Sequence, residues 1–266
     1  MNLTFYTVDR FCSEIDVSHN ELLIDLSEVE FITQFALVYL GLFIRSMRKS
    51  GFLFKVIQPQ NLNVANYLRR QGFFKRFDIN GADYFPEISE YTVAMADIES
   101  NPGLPDDYSE KLKSLLINLK VNIDIGEFCE ISSEILDNFV RHSEDQYGLI
   151  AFQYYGNKKH FRICFGDCGV GFRKSLSKNS KYRYLLKETS AVSIGEAIKE
   201  GISRFEGRRG SGLAMLIEYI LKYRGELFIT SEDGYFRLDS AGVPRMGEMK
   251  YSLPGVQIEF QIPEAE

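Results

Sequence analysis

The sequence has few cysteines, no long apolar run and no excess of positive charge, and each absence excludes a class of protein. Four cysteines among 266 residues are too few for a disulfide framework, so a reducing compartment is expected. No apolar stretch approaches the ~20 residues that span a bilayer, and the N-terminus lacks the basic-then-apolar pattern of a signal peptide. The net charge is −6, which argues against nucleic-acid binding as the main activity. We therefore expect a cytoplasmic protein with neither a membrane nor a nucleic-acid partner.

The segment at residues 134–142 combines an apolar stripe with a polar row at helical spacing. The stripe consists of Ile131, Ile135 and Phe139, and the polar row consists of Glu134, Asn138 and His142. Residues four apart align along one face of a helix, and the solvated side of an ordinary helix would show the same row. Asn138 favours a binding site, because asparagine is a poor helix-interior residue and a suitable oxygen ligand for Mg²⁺. Glu134, one turn earlier, is placed to act as a general base.

A second segment has an acidic residue and two glycines at the end of an apolar run. Asp167, Gly169 and Gly171 follow residues 161–165, which predict a buried strand. Glycine permits positive φ and close backbone approach, and a buried carboxylate can accept a hydrogen bond from an adenine amino group. An ordinary turn after a strand is the alternative.

A third segment places glycines directly before an amphipathic helix. Gly207, Gly210 and Gly212 precede residues 213–221, whose apolar positions recur at helical spacing. A glycine loop that opens a helix presents free N–H groups and the positive end of the helix dipole to an anion. A capped helix without a ligand is the alternative.

The three segments, in this order, resemble the N box and the two glycine boxes of the GHKL ATPase superfamily. The Asn-x-x-x-His ending of the first segment is most similar to the anti-sigma-factor serine kinases of bacteria, which are signalling proteins. The resemblance covers residues 110–262 and departs from the family at Ala214, where another glycine is common. It implies ATP and Mg²⁺ as cofactors and an α/β fold, a two-layer sandwich of the Bergerat type.

The resemblance also implies a role for each matched residue. Asn138 would bind Mg²⁺, and Glu134 would polarise the attacking nucleophile. Asp167 would recognise adenine, and Gly169 and Gly171 would let the base approach. The residues expected near the phosphates are His142, Arg208, Arg209, Gly210, Ser211, Gly212 and Leu213.

The residues between the two glycine boxes, 172–209, predict a lid over the site. A long connection without secondary structure is unusual in a compact domain unless it is functional, and this one contains ten Lys/Arg and four Glu. Basic residues beside a triphosphate would partly neutralise its charge. The alternative is a solvated surface segment with a short helix near residues 193–201.

Turn-forming and acidic residues near position 100 predict a boundary between two domains. We expect an N-terminal domain at residues 1–98, a linker at 99–109 and an ATP-binding domain at 110–266. The N-terminal domain alternates predicted strands and helices, which implies a mixed or parallel sheet with helices packed on it. These predicted elements are strands at 22–26 and 51–57 and helices at 35–47 and 61–70.

This alternation resembles the STAS domain, as found in anti-sigma-factor antagonists. The family's phosphoacceptor serine lies at the start of a helix, and the matching position here is Gln34, whose amide cannot take a phosphoryl group. The adjacent Thr33 has the required hydroxyl, but an N-cap is the favoured interpretation. The resemblance therefore implies a degenerate STAS-like domain that is used for contacts instead of for phosphate storage.

Together the two resemblances leave three functional alternatives. The first is a slow ATPase whose nucleotide state controls contacts of the STAS-like domain or of a protein partner. The second is a protein serine/threonine kinase that acts on a separate STAS protein, and the third is an interaction protein without activity. A sensor histidine kinase is not expected, because none of His19, His142 and His160 lies on a dimerisation helix before the ATPase domain. Related ATPases often act as dimers, so a homodimer is one expected state.

Overall fold

The chain forms an α/β fold, as the sequence predicts. The computed structural model describes residues 1–18, 20–79, 91–99, 106–121, 123–142, 144–145, 147–199 and 212–264, and the side chains of 18, 106, 107, 109, 137, 138 and 140–142 are not described. Within these ranges, no helix combines the length and the apolar character that crossing a membrane requires.

The N-terminal module, which we define as residues 1–79, contains a small mixed sheet with helices. Strand β2 pairs antiparallel with β3, β3 pairs parallel with β5, and the short strands β1 and β4 pair in parallel. The predicted strands and helices of this module are confirmed at β3, α2, β5 and α3. The elements are β1 (Asn2–Leu3), α1 (Val8–Ser13), β2 (Asp16–Ser18), β3 (Glu21–Asp25), β4 (Phe31–Ile32), α2 (Gln34–Lys49), β5 (Leu53–Ile57), α3 (Leu62–Arg70) and α4 (Phe73–Arg76).

The remaining elements build a five-stranded antiparallel sheet in the order β6-β7-β8-β10-β9. The strands are β6 (Thr92–Glu99), β7 (Tyr147–Tyr155), β8 (His160–Asp167), β9 (Glu226–Leu238) and β10 (Pro244–Pro263). The helices are α5 (Asp106–Asn118), α6 (Ile125–His142), α7 (Gly171–Leu176), α8 (Ser190–Ala197) and α9 (Gly212–Lys222).

Strand β6 belongs to the five-stranded sheet, although the sequence analysis placed residues 92–98 in the N-terminal domain. Its residues pair antiparallel with β7, for example Ile98 with Gly148. The change of composition near residue 100 marks the end of this strand. It does not mark the point at which the chain passes from one sheet to the other.

Both faces of the five-stranded sheet are covered. Helices α5, α6 and α9 share one apolar core with it, which contains Phe139, Phe165 and Leu216. The opposite face packs against α2 in a second core with the N-terminal module. The region predicted to bind ATP therefore has a further layer beyond the predicted two-layer sandwich.

Helix α2 lies very close to the sheet because the helix and the sheet each contribute a glycine to the contact. A Cβ added at Gly166 would lie 2.6 Å from Leu42 Cδ1, and one added at Gly41 would lie 2.9 Å from Leu149 Cδ1. Every residue from Gln34 to Ile44 is buried. The sequence predicts this helix, and tertiary packing decides that it is covered on all sides.

The segment between the glycine boxes is helical where it is described, which corrects the expectation of a structureless lid. It contains α7, a 3₁₀ helix (Ser180–Lys187) and α8. Helix α8 is the short helix named as the alternative, and it packs against α7 and β9. Arg173 is paired with Glu232 at 2.9 Å, so this basic residue has a partner within the fold.

Candidate functional site

The predicted helix of the first segment is confirmed as α6, which contains Glu134, Asn138 and His142. Asp124 Oδ1 accepts a hydrogen bond from Glu127 N at 3.0 Å and caps the start of the helix. The predicted apolar stripe is buried, with Ile131, Ile135 and Phe139 among its members. Glu134 lies outside this stripe and is partly exposed, so it is accessible to a ligand or to water.

The backbone of α6 places Asn138 and His142 one and two turns beyond Glu134. Their side chains lie outside the described part of the structure. Their assignment to Mg²⁺ and to the phosphates therefore stays a prediction, and so does the alternative that His142 caps its helix.

Asp167 ends β8 on the α6 side of the sheet. Side chains alternate along a strand, so Asp167 shares a face with Ile163 and Phe165, which belong to the α6 core. Its cross-strand partner is Gly148, and a Cβ at Gly148 would lie 2.9 Å from Phe139 Cε2. The end of β8 is therefore close to the turn of α6 that follows Asn138.

The carboxyl group of Asp167 is buried and accepts hydrogen bonds from the backbone. Asp167 is 5% exposed, and its Oδ1 accepts a hydrogen bond from Gly169 N at 2.7 Å. The pKa of Asp167 is raised to about 7, mainly by burial and also by the nearby negative charge of Asp145, and the backbone bonds from Gly169 and Val256 and the charge of Lys49 oppose this rise. Near neutral pH the group can therefore be an ionised acceptor or a protonated acid.

The loop after Asp167, which we call the nucleotide loop (residues 167–171), uses the conformational freedom of Gly171. Gly171 has φ +70°, and a Cβ there would lie 2.9 Å from Ser231 Oγ. Ser231 Oγ also accepts a hydrogen bond from Phe172 N at 3.1 Å. The predicted positive φ is thus confirmed at Gly171, where a larger residue would be both strained and crowded.

Helix α9 runs antiparallel to α6, which directs Gly212, the first residue of α9, toward the C-terminal end of α6. Lys222 Nζ lies 2.6 Å from Glu127 Oε2, so the last residue of α9 meets the first turn of α6. Each helix rises 1.5 Å per residue, so about ten residues back along α9 and ten forward along α6 span the same ~15 Å. Gly212, the first residue of α9, is therefore on the side of the C-terminal half of α6.

Gly212 is buried, and Leu213 is partly buried against the α6 core. The other predicted phosphate contacts, Arg208, Arg209, Gly210 and Ser211, lie outside the described residues. The first N–H groups of a helix have no acceptor within that helix, so the start of α9 is a suitable position for an anion.

Three residues that the sequence analysis missed complete the surroundings of Asp167. Asp145 Oδ2 accepts a hydrogen bond from Cys168 N at 3.2 Å, and Gln257 Nε2 donates to the Asp167 carbonyl at 2.9 Å. Gly255 has φ +88°, at an irregularity of β10, and a Cβ there would overlap the Asp167 carbonyl. The adjacent Pro254 and Gly255 form a turn signal inside a strand, which was the one local sign of such a bulge.

The start of α2, where a STAS domain would hold its phosphoacceptor, is sealed. Thr33 is 2% exposed, and its Oγ1 accepts from Ala36 N at 3.3 Å, which confirms the predicted N-cap. Gln34 is fully buried, and its Oε1 accepts a hydrogen bond from Tyr155 OH of β7 at 2.9 Å. Glu259 of β10 accepts from Phe35 N at 2.6 Å, so a carboxylate of the large sheet occupies this helix end.

Comparisons with known proteins do not assign the chain to a family. No model of a known protein family matches it, and no curated protein is significantly similar to it. The interpretation of the site therefore depends on the three sequence segments and on their placement in the fold.

Proposed function

We propose that the protein binds Mg-ATP between α6, the nucleotide loop and the start of α9, and that it is a slowly hydrolysing regulatory ATPase. The observation that supports this most directly is the convergence of three segments that are far apart in sequence. Phe139 of α6 meets Gly148 beside Asp167, and the antiparallel packing of α9 on α6 brings Gly212 to the same end.

Asp167 is suited to recognise adenine. The carboxylate accepts hydrogen bonds from backbone N–H groups, those of Gly169 and Val256. Its two oxygens offer about four acceptor sites, so it could also accept from an adenine amino group. The buried setting strengthens such a bond, because the local dielectric constant is low. Guanine, which presents a carbonyl oxygen at the corresponding ring position, would place two acceptors together.

The phosphates are expected at the opposite side of the site, between α6 and α9. The N–H groups at the start of α9 would bind phosphate oxygens, and Arg208 and Arg209 immediately precede that glycine loop. Asn138 would bind Mg²⁺, whose role is to neutralise phosphate charge, and an ion of this kind needs few protein ligands.

Glu134 is the candidate general base. It lies one helical turn before Asn138 and is partly exposed. A carboxylate at this position would orient a water molecule and accept its proton as the bond to the γ-phosphate breaks. The nucleotide state would then control how the N-terminal module or a partner protein is bound.

A second candidate function is transfer of the γ-phosphate to a serine or threonine of a separate STAS protein. The burial of Thr33 and Gln34 favours a separate acceptor over the chain's own STAS-like module. Water and a partner protein are therefore the two acceptors of the γ-phosphate that an experiment has to distinguish.

The experiment that tests the proposal follows γ-labelled phosphate from Mg-ATP in the wild type and in Glu134→Ala. We expect the wild type to release phosphate and Glu134→Ala to lose about 100-fold in turnover with nucleotide affinity retained. Glu130→Ala is the matched control, because Glu130 is exposed one turn earlier on the same helix.

Equal turnover in the wild type and Glu134→Ala would remove Glu134 from the reaction. If neither protein releases phosphate to water and only the wild type transfers the label to an added STAS protein, the kinase is favoured. A wild type that does not bind ATP would reject both functions.

A further inference from the structure

Helix α2 of the N-terminal module contacts the strand end that leads into the nucleotide loop. Val38 and Leu42 pack on Gly166, the residue before Asp167, where a side chain would leave no room. The next residue of the loop, Cys168, donates its thiol hydrogen to Leu42 O at 3.4 Å. Two successive turns of α2 therefore lie directly on the backbone that positions Asp167.

Lys49, at the end of α2, extends this contact through Asp145. Its Nζ lies 2.5 Å from Asp145 Oδ1, and the Asp145 side chain is only 4% exposed, whereas that of Lys49 is about half exposed. The other oxygen of Asp145 accepts from Cys168 N. One carboxylate thus holds both the last turn of α2 and the nucleotide loop.

The same pair sets part of the electrostatic environment of Asp167. After burial, the negative charge of Asp145 raises the pKa of Asp167, and the positive charge of Lys49 lowers it. The neighbouring Cys168 thiol has its own pKa raised to about 12, mainly by burial, so it stays neutral. Removing Lys49 would take a positive charge away from the buried Asp145 and leave the negative charge of Asp145 near Asp167 less compensated, which is unfavourable.

We propose that the Lys49–Asp145 pair couples the N-terminal module to the nucleotide loop, so that ATP bound at Asp167 and the docking of α2 stabilise each other. This inference rests on the proposed function, because it concerns regulation of the same site. Lys49 and Asp145 are positioning residues in it, since both act on ATP through the loop. Thermodynamic linkage requires the effect to be reciprocal.

The test is a calorimetric titration with Mg-ATP at pH 6.5 and pH 8.5. The variants are Lys49→Met, Asp145→Asn and the conservative Lys49→Arg. Arg10→Met is the matched control, because it removes a positive charge from an exposed ion pair with Glu14 on α1. Circular dichroism establishes that each variant is folded.

We expect Lys49→Met to weaken ATP binding by about fivefold or more at pH 6.5 and by less at pH 8.5. Loss of Lys49 should raise the pKa of Asp167, so a smaller fraction of Asp167 is ionised at the lower pH. Asp145→Asn should change the pH dependence of ATP affinity in the opposite direction, because it removes the negative charge near Asp167. Its amide oxygen can still accept the hydrogen bond from Cys168 N. Lys49→Arg and Arg10→Met should bind as the wild type does.

Hydrogen exchange gives the reciprocal measurement. Mg-ATP should slow exchange in residues 34–49 of the wild type, and this protection should be smaller in Lys49→Met. Unchanged α2 exchange on ATP binding would contradict the coupling.

The remaining outcomes separate the two proposals. Wild-type ATP binding with the same affinity and pH dependence in Lys49→Met and Asp145→Asn would overturn the coupling and leave the ATP site standing. Equal weakening of both variants at both pH values would also overturn it, because that is the signature of a merely structural pair. A folded wild type that binds no ATP would reject the proposed function, and the coupling with it.

Discussion

Helices α2 and α6 lie on opposite faces of the same sheet, and they differ in how closely they approach it. Gly41 and Gly166 let α2 rest directly on the strands. Helix α6 contacts the sheet through bulky rings, with Phe128 packed against Phe161 and Phe260 at centroid distances of 5.5 and 6.0 Å. The α2 face is therefore closed at this contact, whereas aromatic rings separate much of α6 from the strands.

The polar groups on the two faces differ in the same way. On the α2 side, Glu259 is fully buried and already bound by Phe35 N and by Arg162 at 3.3 Å. On the α6 side, Glu134 is partly exposed, and the Asp167 carboxylate is bound by the backbone N–H groups of Gly169 and Val256. We infer that one face stabilises the fold and that the other face binds a ligand.

On the closed face, Glu259→Ala is expected to cause the largest loss of unfolding free energy. The substitution would remove the acceptor for Phe35 N and leave Arg162 without its partner, and breaking a buried ion pair costs about 3–5 kcal/mol of unfolding free energy. Urea denaturation followed by circular dichroism measures this loss, since the chain contains no tryptophan. A loss below about 1 kcal/mol would mean that the α2 face is not closed as described.

Glu259→Gln is the matched control, because its amide oxygen can still accept from Phe35 N. Burial raises the pKa of Glu259 to about 7, so between about pH 4 and pH 7 the folded state binds more protons than the unfolded state. The contribution of Glu259 to stability therefore falls as the pH rises through this window. Glu259→Gln should remove that decline.

On the open face, the affinity for ATP should depend on pH through Asp167. Its pKa of about 7 implies that the ionised fraction falls about tenfold between pH 8 and pH 6. The affinity should fall in parallel, because the ionised carboxylate is the better acceptor for the adenine amino group. Titrations at several pH values measure this, and a flat profile would separate Asp167 from adenine.

The smallest expected effect again concerns the closed face. Thr33→Ala would remove the N-cap of α2, in which Thr33 Oγ1 accepts from Ala36 N, at a cost of about 1 kcal/mol of unfolding free energy. Thr33→Ser keeps the hydroxyl and should remain near the wild type. Because Thr33 is far from the nucleotide loop in this account, ATP affinity should be unchanged in both variants.

Local structure in both regions could be predicted from the sequence. Apolar spacing was sufficient for α2, α6 and α9, because a helix buries one stripe at a fixed period. Thr33 was identifiable as a cap from its residue type and position. The turn after β8 was identifiable from Gly169 and Gly171 because of the backbone freedom of glycine.

Contacts between distant segments could not be predicted. Glu259 and Phe35 are 224 residues apart, and neither has a local feature that indicates the other. The contacts of Asp145 were equally hard to predict, because its partner Lys49 ends α2 and its partner Cys168 follows β8. The helical structure of α7 was also missed, and α8 was named only as an alternative, because a basic composition resembles that of a solvated loop.

The most direct test of the ATP site is a calorimetric titration of Mg-ATP into the wild type and Asp167→Asn, with Asp78→Asn as control. Asp78 is exposed and has φ +55°, a conformation that asparagine also tolerates. In Asp167→Asn, the amide oxygen would stay with Gly169 N and the NH₂ group would face the adenine amino group. The account predicts saturable binding to the wild type and to Asp78→Asn, and at least about tenfold weaker binding to Asp167→Asn. Equal affinity in all three proteins, or no binding to the wild type, would contradict it.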